Sequence, residues 1–119
     1  MAVAARTRGG DRASNALLDG IRATLGLSET ELADAFGVRA PSIAGWRQGG
    51  IPAGRRASVE RLADLAHVLR RELKASRIPQ IVRTPDEWLG GRTMLDVIRT
   101  EGPEPIYGYL QRLFSYGGI

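Results

Sequence analysis

The sequence predicts an all-α protein. Apolar residues recur at intervals of three and four over long stretches, capping residues open several of those stretches and glycines close them, and no segment alternates as a strand would. A chain of 119 residues with 43% hydrophobic content fits one domain or two small ones with a modest core. No internal repeat is visible. The pattern divides the chain into a flexible basic arm over residues 1–13, a helical bundle over 14–75 and a smaller helical unit over 76–119.

The arm is rich in Ala, Arg and Gly and has no apolar period, so it is expected to be mobile. Leu17, Ile21 and Leu25 then follow one helical face, which Gly20 weakens and Gly26 ends. In "LSETELADAF", Ser28 caps a new helix, Glu31 completes a capping box, and Leu32 and Phe36 face inward. Pro41 suits the first turn of the next helix, a short one from Ser42 to about Gln48. "GGIPAG" forms a loop, after which Val59, Leu62, Leu65, Ala66, Leu69 and Leu73 mark a long amphipathic helix from near Ser58.

"RIPQIVRTP" holds two prolines and is too apolar for a free linker, so an extended, partly packed connection is expected. Thr84 and Glu87 have capping-box spacing around Pro85. Thr93 starts a helix over "MLDVIRT" that Gly102 can end, and a last helix runs from Pro103 to about Tyr116 and stops at Gly117.

Composition narrows the function classes. Without Cys there is neither a disulfide nor a thiolate zinc site, and a single His, His67, offers little to a metal, so no metal or cofactor is expected. The N-terminal stretch lacks a continuous apolar run and no later segment is long enough to span a bilayer, so a cytoplasmic protein without membrane contact is expected. Enzymatic work would need a placed nucleophile or an acid and base pair, and "LGG" and "RQGG" are too short for phosphate loops, so no enzyme is expected.

The net charge of +4 lies in the first 75 residues, where 12 Lys/Arg stand against 8 Asp/Glu; the remainder holds 5 of each. Between Gly37 and Ser58 sit Arg39, Arg47, Arg55 and Arg56 without one acid, a patch suited to phosphates or, in the plainer reading, a solvated surface. Two helices crossing steeply need a small contact residue, a glycine free to take positive φ, and apolar anchors. Ala33, Gly37, Val38, Ile43 and Trp46 meet these needs in order, with Trp46 as core.

This spacing resembles the helix-turn-helix of the Xre family of repressors, over residues 25–73. In that family the exposed residues of the second helix meet base edges; by position these are Arg39, Ala40, Ser42, Ala44, Gly45, Arg47 and Gln48. Arg39 and Gln48 suit guanine and adenine, Ser42 suits phosphate, and Arg47, Arg55 and Arg56 suit backbone contacts. Three of the seven lack a polar side chain, so useful specificity calls for a dimer or larger assembly. The alternative is a scaffold or dimerisation platform.

"IVRTPDEWLGGRTMLDVIRTEGPEPIYGYLQRLFSYGG" resembles the toxin-binding domain of the Xre/MbcA/ParS antitoxins, with Met94 where that family carries Pro. The resemblance implies a RES-domain toxin as partner, an enzyme that destroys cellular NAD, with the antitoxin's C-terminal segment blocking the toxin's active site. Arg112, Phe114, Tyr116, Gly117, Gly118 and Ile119 are the positions so implied, supported by Trp88, Leu89 and Arg92, while Gly90 and Gly91 shape the turn. Residue chemistry points the same way. In the last helix Ile106, Tyr109, Leu110 and Leu113 form one face and Tyr107, Phe114 and Tyr116 place aromatic surface on the other, so cover is needed on both sides, from a second copy or another protein. A well-covered core helix is the alternative. The functions implied are an antitoxin that also represses its own operon, working as a dimer within a larger complex, or a homodimeric regulator whose C-terminal unit only dimerises.

Overall fold

Leu18, Ile21 and Leu25, one face of the first helix, have no exposed surface, and the rest of the fold closes around them. The computed structural model describes the backbone of residues 2–117 and the side chains of residues 12–115. The described residues are all-helical: α1 (Ala2–Leu25), α2 (Glu29–Ala35), α3 (Ala40–Gly49), α4 (Ala53–Glu72), α5 (Ile78–Ile81), α6 (Met94–Glu101) and α7 (Glu104–Gly117), with 3-10 turns at Ala75–Arg77 and Glu87–Leu89. They include no strand, only an antiparallel bridge between Asp86 and Arg92. α1 takes in the segment expected to be an arm; most of that arm's side chains, those of residues 1–11, lie outside the described residues.

α1 packs on α3 and α4, and α2 packs on α3. Ile43 and Trp46 anchor α3 in the core at 0% and 7% exposure, as their spacing predicts, and Phe36 meets Trp46 with ring centroids 5.9 Å apart. Gly37 turns between α2 and α3 at φ +67°. The Ser28 hydroxyl accepts from the Glu31 N–H and the Glu31 carboxylate accepts from the Ser28 N–H, so the expected capping box forms. Thr93 and Asp96 form a second one at the start of α6, which Gly102 ends at φ +88°.

Three expectations need correction. α4 begins at Ala53, not near Ser58, with Pro52 at its cap. Its first turn is largely exposed and so lacks the apolar period that marks the remainder. The connection after α4 is helical rather than extended: Pro79 occupies the first turn of α5, where proline's missing N–H is no loss, and Ile78 and Val82 are wholly buried. No capping box joins Thr84 to Glu87. The Thr84 hydroxyl donates back to the Gln80 carbonyl at 2.7 Å, while Asp86 caps the following turn by accepting from the Trp88 N–H at 2.8 Å.

The two halves share one apolar core, continuous from Leu18 through Ile43 and Leu69 to Val97 and Leu110. Their seam is tight. Gly26 ends α1 at φ +67°, and a Cβ there would stand 2.7 Å from the Pro79 Cβ. Beside it the Arg83 guanidinium donates to the carbonyls of Leu25 (3.2 Å), Gly26 (2.6 Å) and Pro79 (2.8 Å), and pairs with Glu31 at 2.8 Å. Arg83 thereby satisfies carbonyls that the end of α1 leaves open, and fastens α5 to α2.

Candidate functional site

Two exposed faces collect the residues singled out by the sequence. The first is the outer side of α3. Arg39 stands at its cap in an extended conformation; Arg39, Ser42, Ala44, Gly45 and Gln48 are exposed. The helix can therefore present a long side chain at each end with small residues between. Arg55 belongs to the same region, with its Nη1 donating to the Phe36 carbonyl at 2.9 Å, which holds it against the α2–α3 turn. Arg56 pairs with Glu60 at 3.6 Å.

Arg47 is placed differently from the sequence expectation. Its Nε and Nη2 donate to the two Glu29 carboxylate oxygens at 3.0 Å each, and its Nη1 meets Asn15 Oδ1 at 2.6 Å and Asp19 at 2.8 Å. Asn15 returns a bond from its side-chain amide to the Arg47 carbonyl at 2.9 Å. Glu29, and secondarily Asp19, hold this guanidinium in its charged form. Arg47 ties α3 to α1 and α2 inside the molecule. The sequence between Gly37 and Ser58 shows an unopposed cation because its partners Asn15, Asp19 and Glu29 lie earlier in the chain.

The second face surrounds Trp88, on the 3-10 turn before α6. Among the described residues, Trp88 and Tyr107 are the exposed large hydrophobics, at 41% and 36%. The Tyr109 ring stands edge-on to Trp88 with centroids 6.1 Å apart, and the Arg112 guanidinium lies over the indole, 6.0 Å from its centroid. Asp86 holds the cluster together: one oxygen accepts from the Trp88 N–H at 2.8 Å and the other from the Tyr109 hydroxyl at 2.8 Å. Burial, then the hydrogen bond and charge of Asp86, push the Tyr109 phenol up to about 12. An open recess of about 350 Å³ adjoins Trp88, walled by Pro85, Asp86, Glu87 and Leu113. Asp86 escaped sequence reading because only the fold brings it to Tyr109.

Leu89 does not belong to this surface. The 3-10 turn points Trp88 outward and Leu89 into the core, where it is 6% exposed. Gly90 and Gly91 shape the turn at φ +72° and +81°. Arg92 donates to the Leu89 carbonyl at 3.0 Å and pairs with Glu101. Phe114 is half-buried against the core, and Tyr107 lies beside Asp64 and Glu104; burial first, and those carboxylates next, raise its phenol. Of the remaining candidates, the Tyr116 side chain, Gly118 and Ile119 lie outside the described residues, and Gly117 is the last residue of α7.

Among the described residues no cluster of His, Cys, Asp and Glu is arranged to hold a metal, and no helix is long and apolar enough to cross a membrane. No family model, curated protein or solved structure matches this chain.

Proposed function

We propose that this protein is an antitoxin: it neutralises a partner protein through the face around Trp88 and Arg112, and docks through α2 and α3, as a helix-turn-helix, on operator DNA. The observation that carries the reading is the exposed Trp88, pinned by Tyr109 and crossed by Arg112 in a chain that buries its other tryptophan. Aromatic and Arg side chains on a rigid base are the residues from which interface centres are built. The resemblance of residues 81–118 to antitoxin toxin-binding domains supports a NAD-degrading RES-domain toxin as the partner.

The exposed face of α3 favours DNA as a second ligand. Arg39 and Gln48 are the side chains that can fork onto guanine and adenine edges, and Arg55 lies alongside for a phosphate. With so short a code the operator is expected to be read by a dimer or larger assembly. The alternative is a homodimeric regulator in which the Trp88 face meets a second copy of the chain.

Co-expression with the product of the neighbouring reading frame separates these readings. The antitoxin reading expects the two proteins to co-purify, and cellular NAD to fall when this chain is withheld. No complex and unchanged NAD would leave the regulator as the better account.

A further inference from the structure

Of the five arginines in the C-terminal half, Arg83, Arg92 and Arg99 each face a carboxylate, from Glu31, Glu101 and Asp96 respectively, while Arg77 and Arg112 have no ion pair among the described residues. Arg112 is arranged otherwise. Its guanidinium is held over the Trp88 ring, and among the described residues it makes no hydrogen bond or ion pair. Of the two carboxylates beside Trp88, Asp86 accepts from the Trp88 N–H and the Tyr109 hydroxyl, and Glu87 forms no ion pair with Arg112. An aromatic ring under a guanidinium covers one face and restricts its rotamers, while the in-plane N–H groups keep their fork for an acceptor. Trp88 is itself steadied by Tyr109 and by the Asp86 cap, so the cation stands on a fixed base.

We infer that Arg112 takes a carboxylate side chain of the partner protein in a forked ion pair, with Trp88 supplying the apolar floor of that contact. The argument is charge complementarity: a cation set over an aromatic ring and without an acceptor among the described residues, at the edge of an exposed aromatic surface, selects an acidic group flanked by apolar surface. An ammonium in place of the guanidinium keeps the charge but loses the fork. The inference rests on the proposed partner-neutralising function and specifies the chemistry of its interface.

The probe is the purified product of the neighbouring reading frame, titrated calorimetrically with full-length protein. Arg112→Gln is expected to weaken the complex at least about 30-fold, the loss typical of an interface centre, with an unchanged thermal midpoint because the side chain is exposed. Arg112→Lys should recover only part of that loss. One Asp→Asn or Glu→Gln substitution on the partner should weaken binding to the wild-type chain yet add no further loss in the Arg112→Gln background. Arg112→Gln binding as tightly as wild type, or losses that add for every partner carboxylate, would overturn the inference and leave the antitoxin reading intact. A wild-type chain that forms no complex would overturn both. A loss confined to DNA affinity would assign Arg112 to phosphate and overturn the carboxylate pair.

Discussion

Arg47 and Arg39 lie on the same helix, carry the same charge and do opposite work. Arg47 turns inward to Glu29, Asp19 and Asn15, while Arg39 remains exposed. Arg47→Ala is expected to lower unfolding stability by about 1–2 kcal/mol, a partly buried network discounted for the exposure of its partners, as urea denaturation would register. Arg39→Ala should leave stability within about 0.5 kcal/mol while relaxing operator preference, measured by competition between operator and scrambled duplexes. Titration adds a further expectation. The Ser28 N–H, and after it Arg83, hold the Glu31 carboxyl below its ordinary value. Its contribution is therefore complete above the unfolded carboxyl range and is lost as pH falls through the lower folded value. Glu31→Gln should flatten the acid limb of the stability profile. Tyr109 has the opposite sense: its phenol ionises near 12 in the folded state, so stability is expected to fall as pH rises from about 10 towards 12. Tyr109→Phe should remove that part of the alkaline fall in denaturation curves.

At the level of elements, legibility followed local chemistry. Ser28 with Glu31 announced α2, because the cap and its return bond lie within four residues. Thr93 announced α6, with Asp96 supplying the return bond. Thr93→Ala is accordingly expected to cost about 1 kcal/mol, read from the thermal midpoint. The start of α4 is not legible in the sequence, because an exposed first turn leaves no apolar trace. α5 reads as extended in the sequence because "RIPQIVRTP" has the prolines of a linker, and only the burial of Ile78 and Val82 against α1 and its neighbours draws it into a helical turn. The exposed part of the candidate site was legible as residue types on α3 and around Trp88. The pairing that withdraws Arg47 and the packing that buries Leu89 depend on contacts remote in sequence, which periodicity does not encode.

On the scale of the whole molecule, the two helical units read from the sequence share one core. Trp46 sits in the first half and Trp88 in the second, so each reports its own end. Single-tryptophan variants, Trp46→Phe and Trp88→Phe, are expected to give coincident denaturation midpoints by fluorescence and by helical circular dichroism, after allowing for each variant's own stability. Separate transitions would mean that the halves unfold independently. Gly26→Ala probes the same continuity, since it adds both a strained positive φ and a 2.7 Å approach to Pro79. A loss of more than about 1 kcal/mol is expected from the backbone conformation alone. The seam also governs how the molecule could be recombined. A chimera that grafted residues 76–119 onto another helical bundle would have to import a glycine at the end of its first helix, two carbonyls open to a guanidinium and a carboxylate in the place of Glu31. Such a tail is not a portable cassette, and it can be exchanged only together with the corner of the bundle on which it rests.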